Sequence, residues 1–313
     1  MTRIALPTAS PTATVSGGGA TRGKMDTPKM ESTDGGHVRE PCVLLRPPRG
    51  VADRVGGALT DIVSGARMYE LWGLLGWYDI LARYRRSILG PLWLTISMAV
   101  VVSALGFLYS TLFQLSLDNY LPHLASGFLL WWFVQAMFTE GCNVFVGAEG
   151  SIKQVELPYS IHVYRLVWSN LIVLGHNAVV FVVVALIFAV PVGWHSLWIL
   201  PGMCLFIVNA VWVCLLFAVI AARFRDVPPI VGSLIQLSFF MTPIIWKPEI
   251  LQGRSAYLDF NPFYHVLETV RSPLLGAVPD LVNWTVSLAI MPVGLIVTAV
   301  AFAVSRHKLA YWL

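Results

Sequence analysis

The chain has 313 residues, of which 57% are hydrophobic and 12% charged, with a net charge of +4. A soluble domain carries about 25% charged residues, so the composition excludes an ordinary soluble protein and describes a membrane one. The excess positive charge is not a nucleic-acid surface either. Twelve of the 21 Lys and Arg precede residue 90, in a tail and beside the start of the first apolar run, as on the cytoplasmic side of a membrane protein.

Residues 1–60 are rich in Pro, Gly, Ser and Thr and are expected to form a disordered cytoplasmic tail. No apolar run follows Met1, so no cleaved signal peptide is expected. Gly18 to Lys24 matches most of a phosphate-binding loop. Met25, however, stands where a Mg²⁺-binding Ser or Thr belongs, and neither a strand before nor a helix after it is predicted. No ATP-binding cassette is therefore expected on this chain.

Residues 61–313 are expected to form one all-α integral membrane domain. The stretch 67–86 places Leu71, Leu74, Leu75 and Tyr78 near helical spacing, with Trp72 and Trp77 among them, and predicts an amphipathic helix at the membrane interface. Arg83, Arg85 and Arg86 close it, and Gly90-Pro91 makes the joint to the first span. Six spans are predicted, at about 91–113, 124–146, 161–190, 197–222, 229–246 and 282–304. The inner stretches hold Lys153, Arg165, Arg223, Arg225, Arg306 and Lys308. Only Lys247, Arg254 and Arg271 fall outside, so both termini are expected to be cytoplasmic.

Few groups in the spans are ionisable. Glu140 either lines a polar path or moves with a gate, or else it lies near the inner headgroups or pairs with a His or Asn of a neighbouring helix. His176-Asn177 predicts hydrogen bonds between helices. Tyr109, Trp131 and Trp132 are candidates for a channel lining, with helix packing as the alternative. The arginines anchor the interfacial helix or, through their guanidinium forks, gather an anionic headgroup. No facing pair of acids, HExxH or GxSxG occurs, so a transport subunit rather than an enzyme is expected, with no metal.

The run Arg83-Tyr84-Arg85-Arg86-Ser87-Ile88-Leu89-Gly90-Pro91-Leu92-Trp93 resembles the start of the membrane subunit of polysaccharide-exporting ABC transporters. This is the type-2 export permease family that serves O-antigen, capsule and teichoic-acid export. Further segments resemble it in order: Lys153 with Leu157-Pro158, Arg223-Phe224-Arg225-Asp226, Thr242-Pro243, and Asn261-Pro262 with Arg271. The resemblance covers about residues 67–313. It implies a homodimer of six-span subunits in the bacterial inner membrane, working with two copies of a separate ATPase that carries the ATP and Mg²⁺. Helix 67–86 would be a gate helix whose arginines meet a lipid-linked headgroup. A coupling segment with Lys153, Glu156 and Pro158 would contact the ATPase, and short re-entrant helices in 247–281 would close the outer mouth. A type-2 permease for a drug or lipid, and a membrane-embedded enzyme of lipid-linked sugar assembly, are the alternatives.

Overall fold

A computed structural model describes residues 50–85, 90, 92–191, 193–251 and 255–313, and contains no strand among them. Helix α1 (Val51–Arg67) meets α2 (Tyr69–Tyr84) at Met68. Then follow α3 (Leu92–Phe113), α4 (Leu117–Thr139), α5 (Val144–Gly147) and α6 (Glu149–Gln154). They are succeeded by α7 (Ser160–Ile187), α8 (Ile199–Arg223), α9 (Val227–Met241), α10 (Pro262–Leu274), α11 (Leu281–Ser305) and α12 (Leu309–Trp312).

Helix α1 begins within the stretch 1–60 that the composition assigned to a disordered tail; residues 1–49 lie outside the described residues. With Gly56, Gly57 and Gly65 in it, α1 has poor intrinsic propensity and owes its helix to docking. Ala58, Asp61 and Gly65 form its buried face. A Cβ on Gly65 would stand 2.1 Å from Ser160 Oγ, so only glycine permits this approach. Helix α2 occupies most of the expected 67–86. Gly90 turns the chain with φ +55° into α3, while Arg86 and Pro91 lie outside the described residues.

Five helical segments are long and apolar enough to cross a bilayer: Leu92–Phe113, Leu117–Gln154, Ser160–Ile187, Trp194–Arg223 and Leu281–Trp312. The fifth expected span, 229–246, is instead the 15-residue α9. At 1.5 Å per residue it is about 22 Å long, short of a hydrocarbon core of about 30 Å. Thr242 leaves the helix at φ −94° and ψ 137°, as a residue before proline prefers. The chain then runs on without helix to the first turns of α4. There the Tyr120 hydroxyl donates to the Ile245 carbonyl, and His123 Nε2 lies 3.3 Å from that of Trp246. Helix α4 also starts earlier than expected, because Tyr120, Pro122 and His123 are buried and continue its packing surface.

Helix α4 is buried along most of its length and is the centre of the bundle, whereas α3 is mostly exposed at its edge. At one end of the bundle, α1 joins the start of α7 to the end of α11 through Asp61. At the other, α10 is wedged between neighbours. A Cβ on Gly202 of α8 would lie 2.5 Å from the Thr269 carbonyl oxygen, and one on Gly276 would lie 2.0 Å from that of Pro191.

Candidate functional site

The ionisable side chains that the sequence singled out gather mainly at the α1 end. Helix α2 docks on α7 through Trp72, whose ring lies 6.1 Å from Tyr164 and 6.0 Å from Trp168. Gly76 permits this contact, since a Cβ there would meet the Trp168 ring at 2.9 Å. One turn further, Arg165 of α7 grips Asp79 with two hydrogen bonds, the one from Nε at 2.6 Å. The planar guanidinium fork suits a carboxylate, and two parallel bonds fix orientation as well as distance.

That docking sets the last turn of α2 beside the end of α4. Arg83 Nη2 lies 3.8 Å from Glu140 Oε2, and Asn170 Nδ2 donates to the same oxygen at 3.0 Å. Glu140 is thus paired within the chain, with Asn170 of α7 as its neutral partner. A carboxylate at the C-cap of α4 opposes the helix dipole, so it depends on donors from other helices. Arg83 suits the C-terminal end of α2, and Arg85 beside it is exposed, with no ion pair among the described residues.

The aromatic candidates separate. Trp131 is 1% exposed and packs against Phe239 and Phe263, with ring centroids at 5.8 and 5.6 Å. It fills the bundle of this chain; the middle of α4 is apolar on every face, so the sequence could not say which face looks inward. Trp132 and Tyr109 are half-buried, the first against Phe128 and the second stacked on Phe113. The expected bonds of His176-Asn177 between helices also take another form. His176 Nδ1 binds the Ile172 carbonyl of its own helix at 2.9 Å, and its backbone carbonyl accepts from Thr95 of α3. Among the described residues the buried Asn177 Oδ1 has no hydrogen-bond partner.

The segment from α6 to Pro158 is exposed over Lys153, Gln154, Val155 and Glu156. Lys153 Nζ donates to Glu149 Oε1 at 2.7 Å, one helical turn away, and holds that carboxyl below its ordinary range, first by the hydrogen bond and then by its charge. Pro158 accepts the Ile161 N–H at the start of α7. After α8, Arg223 lies over the Trp312 ring at 5.3 Å, while Arg225 and Asp226 are exposed at the turn into α9.

At the opposite end, Asn261 caps α10, its Oδ1 accepting from Phe263 and Tyr264 N–H groups at 3.0 and 3.3 Å, with Pro262 in the first turn. Its Nδ2 donates to Thr242 Oγ1 at 3.1 Å, so one side chain ties the cap to the break after α9. Arg271, expected in an outer segment, is 2% exposed. It donates to the Pro243 carbonyl at 2.5 Å and pairs with Glu268. Sequence reasoning missed Asp61 and the His265–Asn283 bond of 2.7 Å between α10 and α11.

A cavity of about 140 Å³ lies between α4, α8, α10 and α11, lined by Met137, Phe138, Asn209, Trp212, Phe263 and others. Asn209, its polar residue, is engaged with Leu205 and Trp212. Among the described residues no cluster of three or more His, Cys, Asp or Glu could hold a metal ion.

The fold and this end of it define a multi-pass helical membrane protein whose charged side chains tie helices to one another. The chain matches the ABC-2 type transporter family over residues 70–275, and it belongs to that family. It is similar to an O-antigen export system permease protein RfbA of Klebsiella pneumoniae, 21% identical over 250 residues covering 78% of this chain and 93% of that one. It also resembles the RfbA of Myxococcus xanthus, 21% identical over 197 residues covering 62% and 76% respectively.

Proposed function

We propose that this chain is the channel-forming subunit of an ATP-driven exporter that moves a lipid-linked polysaccharide out across the bacterial inner membrane. Two copies would work with two copies of a separate ATPase subunit. The observation that carries this reading is the arginine-bearing end of α2, held beside the end of the central helix α4, in a chain similar to O-antigen export permeases. Helix α2 is the gate helix in this reading. Arg85 is exposed to receive an anionic headgroup, with Arg83 next to it and Arg86 following. The exposed segment 149–158 receives the ATPase, and Asp226 marks the matching turn on the other side of α8.

The chain makes six crossings in this proposal, the fifth by α9 together with the non-helical run 242–246. Two observations favour that count. Ile245 and Trp246 bond to the far end of α4, and Asp61 binds Arg306, which places both described ends of the chain at one end of the bundle. With the basic residues this end is cytoplasmic. Helix α10 and its capping turn then close the outer mouth as a re-entrant element.

The test is substrate stimulation of ATP hydrolysis in the purified complex. Replacing Arg83, Arg85 and Arg86 together with Gln should leave assembly intact and remove most of the stimulation. Full stimulation would reduce the arginines to membrane anchors. Mass spectrometry of what co-elutes in mild detergent should find a stoichiometric subunit with an intact phosphate-binding loop. A chain that elutes alone under several gentle conditions would refute the ATP-driven reading.

A further inference from the structure

The buried carboxylate of Asp61 lies outside the stretch matched to the family, as does its partner Arg306. Its side chain is fully buried and accepts three hydrogen bonds. Oδ1 takes the Ser160 N–H at 3.0 Å, while Oδ2 takes the Tyr159 N–H at 3.3 Å and Arg306 Nε at 2.8 Å. The first N–H groups of a helix have no partner within it, and a neighbouring side chain in sequence usually supplies one. Helix α7 has no such local cap, since the residue before it is Tyr159. Asp61 supplies the cap from a helix about a hundred residues earlier, and its charge suits the positive end of the α7 dipole.

The tie is reciprocal. Ser160 Oγ donates to the Asp61 carbonyl at 2.7 Å and Tyr164 to that of Ile62 at 3.1 Å. The Gly65 backbone lies against Ser160 with no room for a side chain. These bonds sit directly after Pro158, where the exposed segment 149–158 ends. On the other side α1 passes into α2 through Met68 alone. A displacement of the segment therefore reaches the start of α7 and, across the Asp61 bonds, the helix that leads to Arg83 and Arg85. The Asp79–Arg165 pair holds α2 further along, and its last turn beyond that pair is tied to α4 by the longer, half-exposed Arg83–Glu140 pair.

We propose that Asp61 is a positioning residue that passes movement of the 149–158 segment to α2. The inference rests on the reading that this segment receives the ATPase. A cap that only stabilised α7 would be indifferent to which helix provided it, whereas a relay needs the cap to come from α1.

The experiment uses the complex with its ATPase in lipid nanodiscs, with Cys42 and Cys204 replaced by Ser. A spectroscopic reporter is placed on Gln154→Cys or on Leu81→Cys, both exposed positions. Signals are compared between the nucleotide-free and the ATP–vanadate-trapped states. Both reporters should respond in the parent chain. In Asp61→Ala the Gln154 response should persist while the Leu81 response falls at least fivefold. Asp61→Asn, whose single amide oxygen still accepts the Ser160 N–H while its NH2 no longer accepts from Tyr159 or Arg306, should restore part of it. An unchanged Leu81 response in Asp61→Ala, joint loss of both responses with the ATPase still bound, or failure of Asn to rescue would each overturn the relay. A silent Gln154 reporter in the parent chain would refute the coupling reading, and the relay with it. Should Asp61→Ala not yield folded complex, the pair Ser160→Ala and Tyr164→Phe removes the two hydroxyl donors to α1 and leaves Asp61 in place. Its Leu81 response should fall at least twofold, and no change would overturn the proposal.

Discussion

Glu140 occupies Arg83 in this structure, so an anion that needs Arg83 must displace a carboxylate first. Glu140→Gln removes that competitor while keeping an amide oxygen that accepts from Asn170. The charges are 3.8 Å apart, with side chains 42% and 38% exposed. At an effective dielectric of 20 their attraction would be about 4 kcal/mol. Exposure and salt reduce the net value of such pairs to about 0.2–1 kcal/mol. Because 1.4 kcal/mol corresponds to tenfold, Glu140→Gln should lower the half-saturating concentration of the anion by about 1.5- to 5-fold. The assay is ATP hydrolysis by the purified complex against added lipid-linked pyrophosphate substrate, with inorganic pyrophosphate as the minimal probe. The gain should shrink at high ionic strength, where an exposed pair is screened. It should also vanish in an Arg83→Gln background, since the mutations then act on one interaction. An equal gain in that background, or no gain in either, would refute the competition and leave Glu140 as a helix-end residue held by Asn170.

Lys153→Glu should place two carboxylates one turn apart on α6 and loosen this six-residue helix. Export should fall with membrane insertion unchanged, and hydrogen exchange across 149–154 should rise; normal export would count against this segment as the ATPase contact. The same pair predicts a pH dependence. Glu149 titrates below its ordinary range when paired, so the contribution is complete above the ordinary carboxylate pKa and disappears as pH falls through the lowered one. Protection of α6, corrected for intrinsic exchange, should decline with acid in the parent chain and be flat over that range in Lys153→Gln. At the other end, Arg271→Met leaves Glu268 without its partner in a buried setting and should destabilise the protein by about 3–5 kcal/mol. Adding Glu268→Leu should recover most of the loss in thermal unfolding, and a double variant no better than the single one would argue against this account.

What the sequence made legible, and what it did not, follows from how each element is held. Spans such as α3, α8 and α11 are written in composition, because a bilayer rewards apolar length whatever the neighbours do. Helix α1 is not, because Gly56, Gly57 and Gly65 lower its propensity and its stability comes from the surface offered by Ser160 and Arg306. Helix α9 reads as a full span because Thr242 to Trp246 are nearly as apolar as the helix before them; only Pro243 hints at the break. Glu140 was recognisable as costly and as a partner for a His or Asn, but not which residues it meets, since these lie on helices 30 residues after it and nearly 60 before it. The same distinction separates the two ends of the bundle. At the α1 end the ion pairs Asp61–Arg306, Asp79–Arg165 and Arg83–Glu140 each join different helices, and the last is half-exposed and long enough to exchange partners. At the other end Arg271 and Glu268 belong to one helix, and the guanidinium is buried against a backbone carbonyl. Ties between helices change when helices move, and a tie within one helix does not. Under the proposed coupling to an ATPase, the ion pairs at the α1 end are therefore the ones that a movement of helices would change.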